Sequence, residues 1–253
     1  MCLVAFAIDA HPRHRLVLAG NRDEAFARPA AALAAWPDAP HVVAGRDLGA
    51  GGTWLGASRD GRWAVLTNVR DPLHPRPSAR SRGALVAEYL SGADAPDRYA
   101  QAIQAERDQY DGFNLVVGRG ARAFVVSTRH DEIRDLGPGV YGLSNDQLDT
   151  PWPKVVAVRR RLRSALAQDP VHSETLFPVL DDRTVARDAD LPDTGVGAEL
   201  ERVLSPLRIV SPGYGTRVST VLVTASGGPT RLSERTWRPD GSEGPTVTVE
   251  LGG

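Results

Sequence analysis

The chain is predicted to fold as an α+β layered sandwich, and three observations predict it. The first strand is apolar on both faces, strands and helices come in alternating blocks, and no linker-like stretch divides the 253 residues. Cys2, Val4, Phe6 and Ile8 form one face of that first strand, and Leu3, Ala5 and Ala7 the other. A strand covered on both sides belongs in an interior layer rather than on an open sheet. Two sheets with helices outside them supply such a layer, and a single domain over residues 1–253 is expected.

The elements follow in order. Runs at 2–8 and 15–20 flank Asp9-Ala-His-Pro-Arg-His14 and read as a hairpin. Strands at 53–57 and 62–67 are joined by Asp60-Gly61, a tight-turn pair. Residues 82–91 and 96–108 carry Ala, Leu, Glu and Gln and read as helices, the second opened by Asp94-Ala-Pro96. Strands return at 113–118, 122–128 and 140–144, and Gly118-Arg-Gly120 marks a hairpin turn, lacking the third glycine of a dinucleotide loop. Helix 152–168 places Val155, Val158, Leu162 and Leu166 on one stripe. Shorter helices are expected at 172–180 and 197–204, an acidic loop at 181–196, and final strands at 216–224, 229–237 and 245–251.

Composition removes several function classes. A 42% hydrophobic share is ample for a core, and the formal charge of −1 is spread without a basic stripe, so no nucleic-acid partner is expected. The apolar start is too short for a membrane span and lacks the basic flank of a secretory signal, which points to the cytoplasm. One cysteine excludes an internal disulfide and a cysteine-based zinc site, and the scattered His11, His14, His41, His74, His130 and His172 offer no metal-type pairing; no metal or cofactor is expected. Lys154 is the sole lysine among thirty basic side chains, a bias that reads as a GC-rich bacterial coding sequence.

The lone cysteine is the sharpest chemical feature. Cysteine is small enough for the initiator methionine to be removed, which would leave a free α-amine on the residue that bears the thiol. An ordinary α-amine has a pKa of about 7.7–8.0 and a thiol about 8.5, so the amine can accept the thiol proton near neutrality. Nucleophile and base then share one residue. If the first hairpin is centred between His11 and Pro12, Cys2 pairs with Asn21, and Arg22 and Asp23 lie just beyond. An arginine there favours the thiolate, and a carboxylate there holds the new ammonium or orients Arg22.

Met1-Cys2, Asn21-Arg22-Asp23-Glu24, Gly52-Thr53-Trp54-Leu55-Gly56, Thr67-Asn68, Leu143-Ser144-Asn145 and Tyr214-Gly215-Thr216-Arg217 together resemble the NRDE family, which includes the transport and Golgi organisation 2 homologues. That family is similar to the cysteine N-terminal-nucleophile hydrolases, among them penicillin V acylase and bile salt hydrolase. The resemblance implies a four-layer αββα sandwich and a site in which Cys2 attacks and Arg22 and a carboxylate, Asp23 or Glu24, position it. It further implies that Asn145 stabilises the oxyanion and Arg217 supports the site, with Asn68 a second polar group near the nucleophile. Read from the residues alone, Asn145 is equally a turn or helix-capping residue and Arg217 equally an edge-strand charge. Thr53 and Trp54 shape the pocket, as do the loops 71–81 and 181–196, and Asn21 and Glu24 are binding candidates.

The expected function is cleavage of a small-molecule, non-peptide amide through a Cys2 thioester. The rival expectation is a protein that handles haem, lipid or acyl-CoA on the same fold without turnover.

Overall fold

The computed structural model describes residues 2–74, 80–168 and 171–252. Met1 and part of the loop expected at 71–81 lie outside those residues. Fourteen strands among the described residues form two antiparallel sheets.

The first sheet is built around β1 (Cys2–His11) and β2 (His14–Ala25). The second is a meander in chain order: β3 (Ala30–Trp36), β4 (Ala39–Asp47), β5 (Leu55–Ser58), β6 (Arg62–Asn68), β7 (Phe113–Arg119), β8 (Arg122–Ser127) and β9 (Arg134–Leu136). The chain then returns to the first sheet with β10 (Gly139–Leu143), β11 (Val210–Ser211), β12 (Tyr214–Ala225), β13 (Thr230–Trp237) and β14 (Glu243–Leu251). Its order is β10-β1-β2-β12-β13-β14, with β11 on β12.

The sheets lie face to face, and each has helices on its outer side. Helices α1 (Arg82–Ser91) and α2 (Pro96–Glu106) cover the second sheet; α3 (Pro153–Leu166) and α4 (Ser173–Leu180) cover the first. A short α5 (Ala198–Val203) follows. Proline opens both α2 and α3, where its missing N–H removes no helical bond.

Three apolar layers result, and the doubly apolar first strand explains two of them. Cys2, Val4, Phe6 and Ile8 pack into the layer between the sheets with Trp63, Val65 and Leu222. Leu3, Ala5 and Ala7 pack against Val155, Val158 and Leu162 of α3. The third layer joins α1 and α2 to the second sheet through Leu85, Tyr89 and Ile103. The chain is therefore a four-layer αββα sandwich, as its patterning predicts.

Three expectations change. The first hairpin is longer than its apolar runs, closing over the two residues between His11 and His14, with a bulge near Asp9 at a φ of 42°. Every pairing moves by one residue: Cys2 pairs with Arg22, and Leu3 with Asn21. A one-residue shift exchanges the two faces of a strand, so Arg22 shares the Cys2 side and Asn21 turns to the helix side. Secondly, β3 and β4 are strands the sequence reading leaves unassigned, because the alanine-rich 30–36 run is mostly exposed without an alternating signature and Pro37 and Pro40 follow it. Thirdly, Arg217 lies on β12, which is hydrogen-bonded to β2 on one side and β13 on the other, so it is not an edge-strand charge.

Candidate functional site

Register places the cysteine. β1 begins at Cys2 in the middle of the first sheet, and its even-numbered side chains point between the sheets. Near the start of β1 the two sheets enclose a cavity of about 610 Å³ that the Cys2 side chain reaches while only 7% exposed. Ala30, Ala31, Trp54, Leu66, Val218 and Trp237 give it apolar walls. Arg22, Arg28, Arg46, Arg80, Arg82, Arg217 and Arg238 surround it with guanidinium groups, and among the described residues no histidine lines it.

The second strand of the hairpin distributes its polar tetrad to opposite sides. Arg22 enters the cavity and bonds Asp47 at 3.1 Å, with Glu24 at 3.5 Å. Asp47 also takes the Arg28 guanidinium at 2.6 Å and the backbone N–H groups of Gly49 and Ala50. These contacts hold the Asp47 carboxyl below the usual range even though burial opposes them. Glu24 and Asp47 thus flank Arg22.

Asp23 is a different carboxylate. It is 2% exposed, accepts the Thr216 hydroxyl at 2.6 Å, and its charge is felt by Cys2. Burial pushes its carboxyl up, and Lys154, Thr216 and Arg70 work against that rise.

Asn21, expected to contact ligand, is fully buried and committed elsewhere. Its amide donates to Leu180 O at 3.2 Å and Leu207 O at 2.8 Å, and its oxygen accepts the Ser219 hydroxyl at 2.6 Å. It ties α4 and the segment before β11 to the first sheet. We expect Asn21→Ala to cost about 2–3 kcal/mol by orphaning two buried carbonyls, read as a Tm lowered by about 5–10 °C.

Arg217 reaches the site through a bulge. Thr216 pairs with Asp23 and Val218 with Arg22, leaving Arg217 as the extra residue between them. Bulges re-aim side chains, and here the guanidinium lines the cavity and donates to the carbonyls of Ala25 and Arg28.

Asn68 lines the cavity, whereas Asn145 stands one layer behind it. The Asn145 amide donates to Asn68 O at 2.9 Å, and its backbone carbonyl accepts Arg70 N–H at 2.7 Å. Ser144 Oγ lies 3.0 Å from Cys2 O and 3.1 Å from Asn145 Oδ1, linking this loop to the cysteine. Asn145 does not cap the following helix, whose capping position is Trp152.

Thr53 and Trp54 form the wall facing the tetrad. Thr53 donates its hydroxyl to Leu55 O, and the Trp54 ring presses on Gly20, where an added Cβ would sit 3.0 Å from it. Gly52 is more constrained, since a Cβ there would meet the backbone of Gly83 at 2.3 Å.

Burial pushes the Cys2 thiol above its ordinary range in the chain as it stands. The Asp23 charge adds to that rise, while Arg22 and a backbone hydrogen bond from Asp23 favour the thiolate.

Four groups escaped the sequence reading. Glu234 bridges the sheets, accepting Leu33 N–H at 2.9 Å and the Thr220 hydroxyl at 3.2 Å, and burial raises its carboxyl. Arg70, Lys154 and Glu201 form a buried charge cluster with Asp23. Of these only Lys154 left a trace in the sequence, as one lysine in a chain that otherwise uses arginine.

With this geometry in place, the relatives can be compared. The sequence model of the family described as Transport and Golgi organisation 2 matches residues 1–239. The chain is 34% identical to the transport and Golgi organization protein 2 homolog of Bos taurus, covering 93% of this chain and 92% of that one. The chain belongs to the Transport and Golgi organisation 2 family. Its human homolog is 32% identical over the same shares of the two chains.

The named family members come from animals, so the bacterial source expected from composition finds no support among them. Among the described residues, no helix is long and apolar enough to cross a membrane.

Two solved structures share the fold at much lower identity. The C2A mutant of conjugated bile acid hydrolase from Clostridium perfringens matches with a TM-score of 0.57 at 9% identity, over 99% of this chain and 92% of that one. A Caenorhabditis elegans ortholog of N-acylethanolamine-hydrolyzing acid amidase matches with a TM-score of 0.51 at 10% identity, over 88% and 92%. The chain therefore shares the fold of these two hydrolases.

Proposed function

We propose that this protein is an N-terminal-nucleophile amidohydrolase that cleaves a small-molecule, non-peptide amide through a thioester on Cys2. The observation that carries the reading is the Cys2 side chain at the wall of a 610 Å³ cavity, on a strand paired residue for residue with Arg22.

Removal of Met1 frees the Cys2 α-amine. The amine takes the proton from Sγ, and the thiolate attacks the amide carbonyl carbon. The Asn68 side chain on the cavity wall offers the resulting oxyanion an N–H, and Asn145 braces Asn68 from the layer behind, its carboxamide donating to Asn68 O. A donor aimed at such an oxyanion is worth about 2.7–4 kcal/mol. Collapse breaks the C–N bond, and the proton held on the α-amine passes to the leaving nitrogen. Water then attacks the thioester, giving a carboxylic acid and restoring the thiol.

Of the two candidate carboxylates, Asp23 suits the α-ammonium, because it is buried beside Cys2, and Glu24 suits Arg22. Arg22 favours the thiolate, and Arg217 braces the loop after β2. Apolar walls ringed by arginines suit an acyl compound that also bears an anionic group.

The rival role, binding haem or lipid without turnover, shares that preference for an amphipathic anion. For iron the cavity offers the Cys2 sulfur, whose thiol burial pushes up, and among the described residues no histidine, so the donor set fits haem ligation poorly. A panel of acyl amides and acyl thioesters decides the matter. We expect hydrolysis of at least one amide, with a hydroxylamine-sensitive adduct on Cys2. No turnover across the panel, with tight retention of an acyl or haem ligand, would overturn the enzyme reading.

A further inference from the structure

The cavity has a polar far end that the proposed chemistry leaves unused. On the inner face of the first sheet, Cys2, Arg22, Val218 and Thr236 are register partners across β1, β2, β12 and β13. All four line the cavity. Neighbouring strands stand about 4.8 Å apart, so this row carries the cavity about 14 Å from the cysteine strand to β13. Glu234 precedes Thr236 by two residues on the same face of β13. It lines the cavity while only 4% exposed.

The Glu234 carboxyl hangs between the two sheets. Its Oε1 accepts the Leu33 N–H at 2.9 Å from β3, whose register shifts between Ala31 and Ala34. Its Oε2 accepts the Thr220 hydroxyl at 3.2 Å from β12. Gly45 of β4 leaves room for it, since a Cβ there would sit 3.4 Å from Oε2.

This carboxyl differs from others on the cavity wall. Glu24, Asp47 and Asp111 are each ion-paired with an arginine. Glu234 has no ion-pair partner among the described residues and accepts two neutral donors. A carboxylate has about four lone-pair sites, so about two remain for a ligand. Burying the group without a close counter-charge is costly, and burial pushes its carboxyl up against the opposing charge of Arg22. A donor arriving with the ligand offsets that cost. Arg28, Arg46, Arg82 and Arg238, in contrast, are partly or fully exposed and stand at the mouth.

We propose that Glu234 is a specificity-determining residue that receives a hydroxyl or ammonium group at the end of the substrate's acyl chain, while the scissile carbonyl lies at Cys2. As a statement about substrate it rests on the nucleophile reading above. An extended chain of about ten to twelve atoms covers the distance. The substrate is then an amide of a long-chain acid tipped with a hydrogen-bond donor. The arginines at the mouth are left for an anionic group on the amine side. A chain that ends in methyl leaves the carboxyl unsatisfied and is selected against.

The Cys2→Ala protein separates binding from turnover. Dodecanoic, ω-hydroxydodecanoic and ω-aminododecanoic acids are titrated into it by calorimetry. At least one donor-tipped acid should bind about ten- to hundredfold tighter than dodecanoic acid, and which one does so names the tip. Adding Glu234→Gln keeps an acceptor for the Leu33 N–H and should cut that preference at least about threefold, because a neutral acceptor bonds more weakly. Adding Glu234→Leu should make dodecanoic acid the tightest binder of the three. Equal affinity for the three acids, or a preference that Glu234→Gln leaves intact, overturns the inference, and Glu234 is then only the staple that holds β3. A wild type that hydrolyses no acyl amide while the donor preference persists refutes the amidase reading and leaves the subsite standing.

Discussion

Cys2→Ala will lose all turnover, about a million-fold, to the floor of the assay, and will carry no acyl adduct. The expectation follows from economy of parts: in the proposed mechanism nucleophile and base are the same residue, and among the described residues no histidine lines the cavity to substitute for either. The fold should survive, because alanine removes only one sulfur from a side chain at the edge of the inter-sheet layer. Intact-mass measurement of wild type and variant, before and after exposure to an acyl donor, checks each part. Wild type should lack Met1 and gain one acyl group that hydroxylamine removes. Equal labelling of the two proteins would move the chemistry elsewhere.

The second large effect is on stability. Glu201→Ala leaves the Arg70 guanidinium, 8% exposed, without its carboxylate, and strands Thr194 N–H as well. Breaking a buried pair from one side costs about 3–5 kcal/mol, because the remaining charge has no solvent to relax into. In a chain of this length that lowers Tm by about 10 °C. Removing both charges, as in Arg70→Met with Glu201→Leu, should restore most of the loss, since the apolar pair owes no desolvation cost. Chemical denaturation of the three variants tests this, and a single variant within about 1 kcal/mol of wild type would contradict it. The effect also reaches the site, because Arg70 N–H bonds the Asn145 carbonyl and Asn145 holds Asn68.

Much of the architecture was legible because its signals are local. The doubly apolar 2–8 run announces an interior strand, and Pro153 with Val155, Val158 and Leu162 announces α3. The β3–β4 hairpin gave no such signal: its alanines alternate with nothing, and what fixes it is Glu234, 201 residues away from the Leu33 N–H it accepts.

The site divides in the same way. Arg22, Asp23, Glu24, Thr53, Trp54, Asn68 and Arg217 line the cavity with Cys2, whereas Asn145 stands behind Asn68. Asn21 does not line it, because the bulge near Asp9 shifts the hairpin by one residue and sends its amide to Leu180 and Leu207. Arg217 reads as an ordinary strand residue until its pairing is known, since a bulge exists only between strands.

By itself the sequence determined the order of the elements, the layered fold and the lone thiol at position 2, because propensity, periodicity and residue identity act over a few neighbours. Tertiary structure alone decided which member of the Asn21–Glu24 tetrad faces that sulfur and that Lys154 is buried against the Leu204 carbonyl. A strand's faces alternate at every residue, so one bulge reverses them. Buried charges, in turn, find their partners through space, as Arg70 finds Glu201 across 131 positions of chain.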